Sequence, residues 1–401
     1  MLSDKELSYF AGEYGTPVFV FDTKALKERI QAIRELFGEK ITLCYSIKAN
    51  PFLIPAMLES VSKLEVCSPG ELSICERLQV PMDRIVYSGV NKMPADISQA
   101  MSDEVGIFTA ESRGQLELVN AEAERQGKVV PVLLRLNGGS QFGMSREDLL
   151  RIYEERAKFS GVSLEGIHFF VGTQRKKLKE QRAELQMLRE LFDEIGDRFG
   201  ERPKKLEYGP GLPVPLFEKD DFSDTLAPAR EIADALQEAA SWAELTVEMG
   251  RFFVTECGYY LTKICDQKAA NGNTYALTDG GMNHVNYLGQ IMGMKVPVIR
   301  HLTGEGRSCP AEFAGKEITW SLCGSLCTTA DVMVRKIAFT DLQCGDVLAF
   351  SNIGAYSVTE GIHLFLSRTM PRIVLRNDYC SGQLVRDFYE SSLLNTPGWN
   401  I

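Results

Sequence analysis

The chain has 401 residues, 44% hydrophobic and 24% charged, with a formal charge of −10 at pH 7. This is the make-up of a soluble globular enzyme long enough for two cored domains; it excludes disorder and argues against nucleic acid as the main partner. The start, "MLSDKELSYFAGEYG", has no basic stretch leading into an apolar one, and no apolar run nears the ~18 residues of a membrane span, so a cytoplasmic chain without membrane contact is expected.

The first strand is "TPVFVFD", which lies before the first barrel helix and is expected to join the second domain in space. From Ile41 to Gly250 short apolar runs then alternate with amphipathic stretches: "ITLCYSIK", "LEVCS", "IVYSG", "GIFTA", "VPVLLRLN", "LEGIHFFVG", "KLEYG" and "TVEMG". Eight strand-helix alternations of about 25 to 30 residues fit a (β/α)8 TIM barrel better than an open doubly wound sheet. No GxGxxG follows the first run, which weakens a dinucleotide-binding alternative. After residue 262 the texture becomes short β-rich runs separated by Gly, Asn and Pro, among them "NTYALTDGG", "KEITWSLCG", "ADVMVRKIAF" and "RIVLRN". The expected domains are therefore a barrel over 24–262 and a β-rich, Greek-key or β-barrel-like domain made of 1–23 and 263–401. Ten irregularly spaced cysteines without a C-x-x-C pair, and four scattered histidines, point to reduced, mostly buried thiols and to no metal site.

Barrel active sites lie at the C-terminal ends of the strands. Lys48 ends the first barrel run; on position alone it could simply snorkel to solvent. The seventh run ends in "EYGPGLP", where Gly209 and Gly211 can expose backbone N–H groups to a phosphate, and the eighth in "EMGR", which sets Glu248, Gly250 and Arg251 together. A reactive lysine, a phosphate cradle and a lone carboxylate are what pyridoxal 5'-phosphate requires: an imine, an anchor, and a partner that keeps the pyridine nitrogen protonated.

The motifs "YSIKANP", "EVCSPGEL", "HFFVGTQ", "EYGPGLP", "EMGR", "GSLCTTADV" and "NIGAY" stand in the order and spacing of the fold-type III pyridoxal-phosphate decarboxylases, the diaminopimelate and ornithine decarboxylase group, which this chain resembles over nearly its whole length. The resemblance implies that Lys48 forms the internal aldimine and that Glu248 meets the pyridine nitrogen. It places Thr173, Gly209, Gly211, Gly250 and Arg251 around the phosphate, with Glu65 and Glu71 behind the lysine. It further implies a head-to-tail homodimer in which Cys327 and Tyr356 enter the partner's site, Cys327 as proton donor to the carbanion left by CO₂. Without the motif, Cys327 would read as one more buried thiol.

Four departures from that family bear on the amino-acid substrate. Phe170 replaces the histidine that stacks on the cofactor ring. Thr328 follows Cys327 where an acidic residue usually meets a distal ammonium, and a neutral hydroxyl cannot balance that charge. Tyr287 stands near the place of an absent arginine, and "RLNGGSQFGM" is a shortened segment. These resemble the subgroup that decarboxylates modified or carrier-linked amino acids. The basic run "RKKLKEQR", Arg175 to Arg182, is either a solvated helix face or a landing point for an acidic acyl carrier protein. The alternatives are a diaminopimelate decarboxylase of lysine biosynthesis, an amino-acid racemase, and a non-catalytic decarboxylase-like regulator.

Overall fold

The computed structural model describes residues 1–288, 294–377 and 381–398. The chain forms two compact units, one of Lys27–Val214 with Asp224–Phe253, the other of Met1–Leu26, Pro215–Ser223 and Val254–Ile401.

All eight runs expected of the barrel are strands: β2 (Thr42–Ser46), β3 (Lys63–Val66), β4 (Ile85–Tyr87), β5 (Ile107–Ala110), β6 (Val130–Arg135), β7 (Val162–Phe170), β8 (Lys205–Gly209) and β9 (Glu244–Met249). They close in sequence order, each parallel to its neighbours, with β9 returning to β2 through Cys44↔Glu248. The outer helices form where apolar residues recur at helical spacing. Leu178–Phe199, for example, buries Leu185, Leu188, Leu191, Phe192 and Ile195 along one stripe. One detail departs from expectation at the site. β2 stops at Ser46, and Lys48 stands on a 3-10 turn, Ile47–Ala49, rather than on the strand. The cause is local: Pro51 drives Asn50 into extended backbone, and the Asn50 side chain caps the next turn by accepting from Phe52 N–H at 3.1 Å.

The other unit is a mixed nine-stranded sheet. β1 (Val18–Asp22), the expected early strand, lies antiparallel to β10 (Gly258–Ala270) and parallel to β16 (Arg372–Arg376), with all five residues buried. The remaining members are β11 (Asn273–Thr278), β12 (Ile299–Leu302), β13 (Glu317–Cys323), β14 (Val332–Thr340), β15 (Val347–Ser351) and β17 (Gly382–Arg386). Among the described residues the sheet is branched at β10, which pairs with β1, β11 and β15, while β15 carries β12 on its other edge; it is not a second closed barrel. The expected boundary at 262/263 falls inside β10, a continuous strand that pairs with β15 through Tyr259–Lys263 and with β11 beyond it. The units instead divide at Phe253/Val254, and Pro215–Ser223 sides with the β-rich unit.

The cysteines in the described residues are all unbridged, and Cys380 lies outside those residues. Only Cys44, Cys75 and Cys257 are buried, whereas Cys265 and Cys327 are exposed, so the expectation of mostly buried thiols does not hold. Strand pleating accounts for Cys265, which points outward beside inward Ile264. Among the described residues no helix is long and apolar enough to cross a membrane.

The barrel wall is tightest at Gly166, beside a β6/β7 register shift, where an added Cβ would lie 1.8 Å from the Lys205 carbonyl oxygen on β8. Gly166→Ala is expected to lower stability by about 1–3 kcal/mol through overpacking, read as a lower denaturant midpoint; an unchanged midpoint would show that β7 and β8 part there without cost.

Candidate active site

The turn after β2 directs Lys48 at two carboxylates. Its Nζ lies 2.7 Å from Glu65 Oε2 on β3 and 3.9 Å from Glu248 Oε1 on β9, with 38% of the side chain exposed. Burial acts to lower the lysine's pKa, but the Glu65 charge, joined by Glu248, overrides it and holds the ammonium well above the usual lysine range. Nζ also meets Cys67 Sγ at 3.3 Å, and that thiol donates to Glu65 Oε1 at 3.2 Å. Burial pushes the Cys67 thiol far up, so it acts as a neutral donor. Glu71 sits one step further back: its Oε2 accepts from Cys67 N–H at 2.7 Å, and burial raises its pKa.

Glu248 is 6% exposed and fully engaged. Oε1 accepts from Ser46 Oγ at 2.9 Å, and Oε2 faces His168 Nε2 at 2.9 Å. Burial would raise its pKa, yet the His168 hydrogen bond and the Lys48 charge hold it well below the usual carboxylate range. A permanent anion therefore stands beside the lysine.

The ends of β7, β8 and β9 converge with the turn after β2. A Cβ on Gly209 would lie 2.4 Å from the Phe170 ring, one on Gly250 3.0 Å from Ala49 Cβ, and one on Gly211 1.8 Å from the Gly172 carbonyl oxygen. Gly211 also has φ +61°, which favours glycine. Thr173 is exposed beside Gly172, Phe170 is half-buried, and Arg251 opens the short helix Arg251–Val254. Across the barrel mouth, the Arg135 guanidinium pairs with Glu111 and lies 4.9 Å over the Phe142 ring, while Glu111 Oε2 accepts from Gly143 N–H at 2.9 Å. This ties down the shortened "RLNGGSQFGM" segment.

The β-rich unit carries the other expected residues. Cys327 is exposed on a hollow of about 450 Å³ that it shares with Cys265, Asp266, Ser325 and Arg368. Thr328 Oγ1 accepts from Ala330 N–H at 3.3 Å. Tyr356 is half-buried with φ +69°, unusual for a non-glycine residue. Tyr287 is 2% exposed, and its hydroxyl donates to the Ser351 carbonyl at 2.7 Å within the unit.

The basic run carries less free charge than its composition suggests. Arg175 pairs with Glu184, Lys177 with Glu180 and Arg182 with Asp234, so Lys176 and Lys179 are the cations of the run without an acidic partner among the described residues. The run also straddles the start of the helix at Leu178, so Arg175, Lys176 and Lys177 lie in the loop after β7.

Sequence reasoning missed Ser46, Cys67, His168 and Glu207. His168 had a signal: it is two residues from Phe170 on β7 and so shares its face of the strand. Nothing in the sequence marked Ser46 or Cys67 apart from their place beside chosen residues.

Gly209, Gly211 and Gly250 let the ends of β8 and β9 close onto Phe170, Gly172 and Ala49, glycine-rich backbone of the kind that can meet a phosphate, and a lysine beside a held anion suits an imine-forming carbonyl and a protonated ring nitrogen. The donor set fits pyridoxal 5'-phosphate, and with the closed barrel it defines a barrel-type pyridoxal-phosphate enzyme. The chain belongs to the pyridoxal-dependent decarboxylases: the model of that family's pyridoxal binding domain matches residues 23–255. It is 25% identical to the diaminopimelate decarboxylase of Aquifex aeolicus over 415 residues, covering 98% of this chain and 94% of the relative. It is equally 25% identical, over 408 residues, to the L-glutamyl-[BtrI acyl-carrier protein] decarboxylase of Niallia circulans, with 96% and 94% covered. The crystal structure of AQ1208 from Aquifex aeolicus superposes with a TM-score of 0.86 at 26% identity, covering 98% of this chain and 94% of that one. The protein is thus a pyridoxal-phosphate-dependent amino-acid decarboxylase, which decides against the racemase and regulator readings.

Glu65 is the charge that raises Lys48 most. Glu65→Gln should lower the lysine's pKa, so that apoprotein recombines with pyridoxal 5'-phosphate at its half-maximal rate at a lower pH than wild type, followed by visible absorbance. An unmoved or higher midpoint would take Glu65 out of that role.

Proposed function

We propose that the enzyme decarboxylates an amino acid whose far end is already conjugated, as an amide or thioester. In this reading Lys48 carries the cofactor, Glu248 holds the proton of its ring nitrogen, and the backbone at Gly209, Gly211 and Gly250, with Thr173 and Arg251, holds the phosphate. Phe170, whose ring lies against Gly209, would border the cofactor's ring. The cofactor, once bound, supplies the electron sink for the bond to the departing carboxylate. Cys327 would hold the proton that the α-carbon takes up, and Tyr356 and Cys327 would come from a second copy of the chain.

The observation that carries the substrate reading is Asp331. It is the carboxylate of the "CTTAD" segment, yet it is 3% exposed and accepts from Met282 N–H at 2.8 Å and Leu326 N–H at 2.7 Å. Next to Cys327 stands only the neutral Thr328, so that segment offers no counter-charge to a distal ammonium, which is costly to bury unpaired. The Niallia circulans relative, named for a carrier-linked glutamyl substrate, is as similar as the diaminopimelate enzyme. A carrier protein docking at the basic run would meet chiefly Lys176 and Lys179.

A second reading, diaminopimelate itself, is favoured by one feature. Asp266 and Arg368 both line the Cys327 hollow and are exposed, which suits a distal ammonium and a distal carboxylate together. CO₂ release decides between the two. Lysine, ornithine and free diaminopimelate should turn over at least about a hundredfold more slowly than a glutamyl thioester on a carrier protein or an N-acylated diamino acid. Efficient decarboxylation of diaminopimelate, lost on Asp266→Asn and Arg368→Gln, would establish the second reading instead.

The shared site has its own test. Lys48→Ala and Cys327→Ala chains, each inactive, should regain activity when mixed, because one of the two sites of the hybrid then holds both native residues. No recovery, with subunit exchange demonstrated, would place Lys48 and Cys327 of one site on the same chain.

A further inference from the structure

Behind Glu248 lies a group that the reading above does not use. Glu207 of β8 is the register partner of His168 on β7 and is 1% exposed. One donor atom from each of His168, Glu207 and Glu248 lies within 4.8 Å of the others. Neither oxygen of Glu207 nor Nδ1 of His168 has a hydrogen-bond partner among the described residues, and all three atoms are buried. Such atoms are costly to leave unserved. Glu207, the cross-strand neighbour of His168, is the carboxyl group placed to answer its Nδ1.

The chemistry of the imidazole limits what they can do. Glu248 is ionised and can only accept, so the His168 nitrogen facing it, Nε2, must carry a proton. Nδ1 is then an acceptor in the neutral ring or a second donor in the cation. A carboxyl group answers both cases, donating when protonated and accepting when ionised. We propose that Glu207 is a positioning residue for the cofactor: it serves His168 Nδ1 and thereby keeps the Nε2–H on Glu248, fixing the carboxylate that faces the ring nitrogen. The cluster brings together a carboxyl group of β8, an imidazole of β7 and a carboxylate of β9. The other titratable groups that Glu207 feels are Cys44 on β2 and Lys63 and Glu65 on β3. Burial, before any charge, pushes the Glu207 pKa up, which makes the donating form available at higher pH than for an ordinary carboxyl.

The test uses the full chain labelled with ¹⁵N-histidine, practicable because there are four histidines, with pyridoxal 5'-phosphate binding as the second readout. In wild type, His168 should carry its proton on Nε2, and its Nδ1 shift should follow an ionisation above the usual carboxylate range. Glu207→Gln, whose amide can still donate, should keep the Nε2–H form and lose that titration. Glu207→Leu should populate the other tautomer and weaken cofactor retention on the order of tenfold, as loss of a group orienting a ligating histidine does. The same tautomer and the same cofactor affinity in Glu207→Leu would overturn the proposal. Should that variant not fold, Glu207→Gln decides: loss of the pH-dependent change in the Nδ1 signal supports the role, and its persistence refutes it.

Discussion

A carboxylate held out of water at the end of β9 is the constraint on which the rest of this site depends. Left alone, Glu248 would protonate, since the penalty for burying an unpaired ion is several kcal/mol. It stays charged because Ser46, His168 and Lys48 answer it from β2, β7 and the turn after β2. Those residues are about two hundred and about eighty positions away in sequence. Only the closure of β9 onto β2 brings the first and last strands of the barrel together, so the fold and the charge balance are one requirement.

The same requirement explains where Lys48 sits. A lysine inside β2 would point into the core or the helix layer, whereas the turn forced by Asn50–Pro51 lifts it to the rim, between Glu65 and Glu248. There its own burial and its two carboxylate neighbours work against each other, and the neighbours win. In the proposed reading cofactor binding would displace part of this network, because an amine has to be neutral before it can attack a carbonyl. Glu65 opposes that neutralisation, while burial of the lysine favours it.

The barrel was legible because each of its strands is an apolar run bounded by small or polar residues, and its helices repeat at a different period. Strand ends were legible for the same reason, which is why Gly209 and Glu248 could be chosen, and Lys48 was found although it stands on the turn just past β2. What escaped is contact between strands. His168 reads as one polar residue in an apolar run, and only the register His168↔Glu207 and the nearby Glu248 of β9 reveal a cluster of groups. The boundary at 262 failed because composition changes midway along β10, where the strand exchanges one partner for another without ending.

Loops posed the harder problem, because their side-chain directions follow no period. "CTTAD" offers one carboxylate on paper, and the fold spends it on two backbone amides. "RKKLKEQR" counts five cations on paper, and acidic neighbours from its own helix and from Ala227–Trp242 answer three of them. In both segments the sequence overstates the charge available to a ligand, for a common physical reason: a charged group near a folded surface lowers its energy by pairing with whatever opposite charge or backbone dipole the chain already supplies. Specificity at this site therefore rests on the few groups that remain unanswered after folding, and these are found by accounting for partners rather than by counting residues.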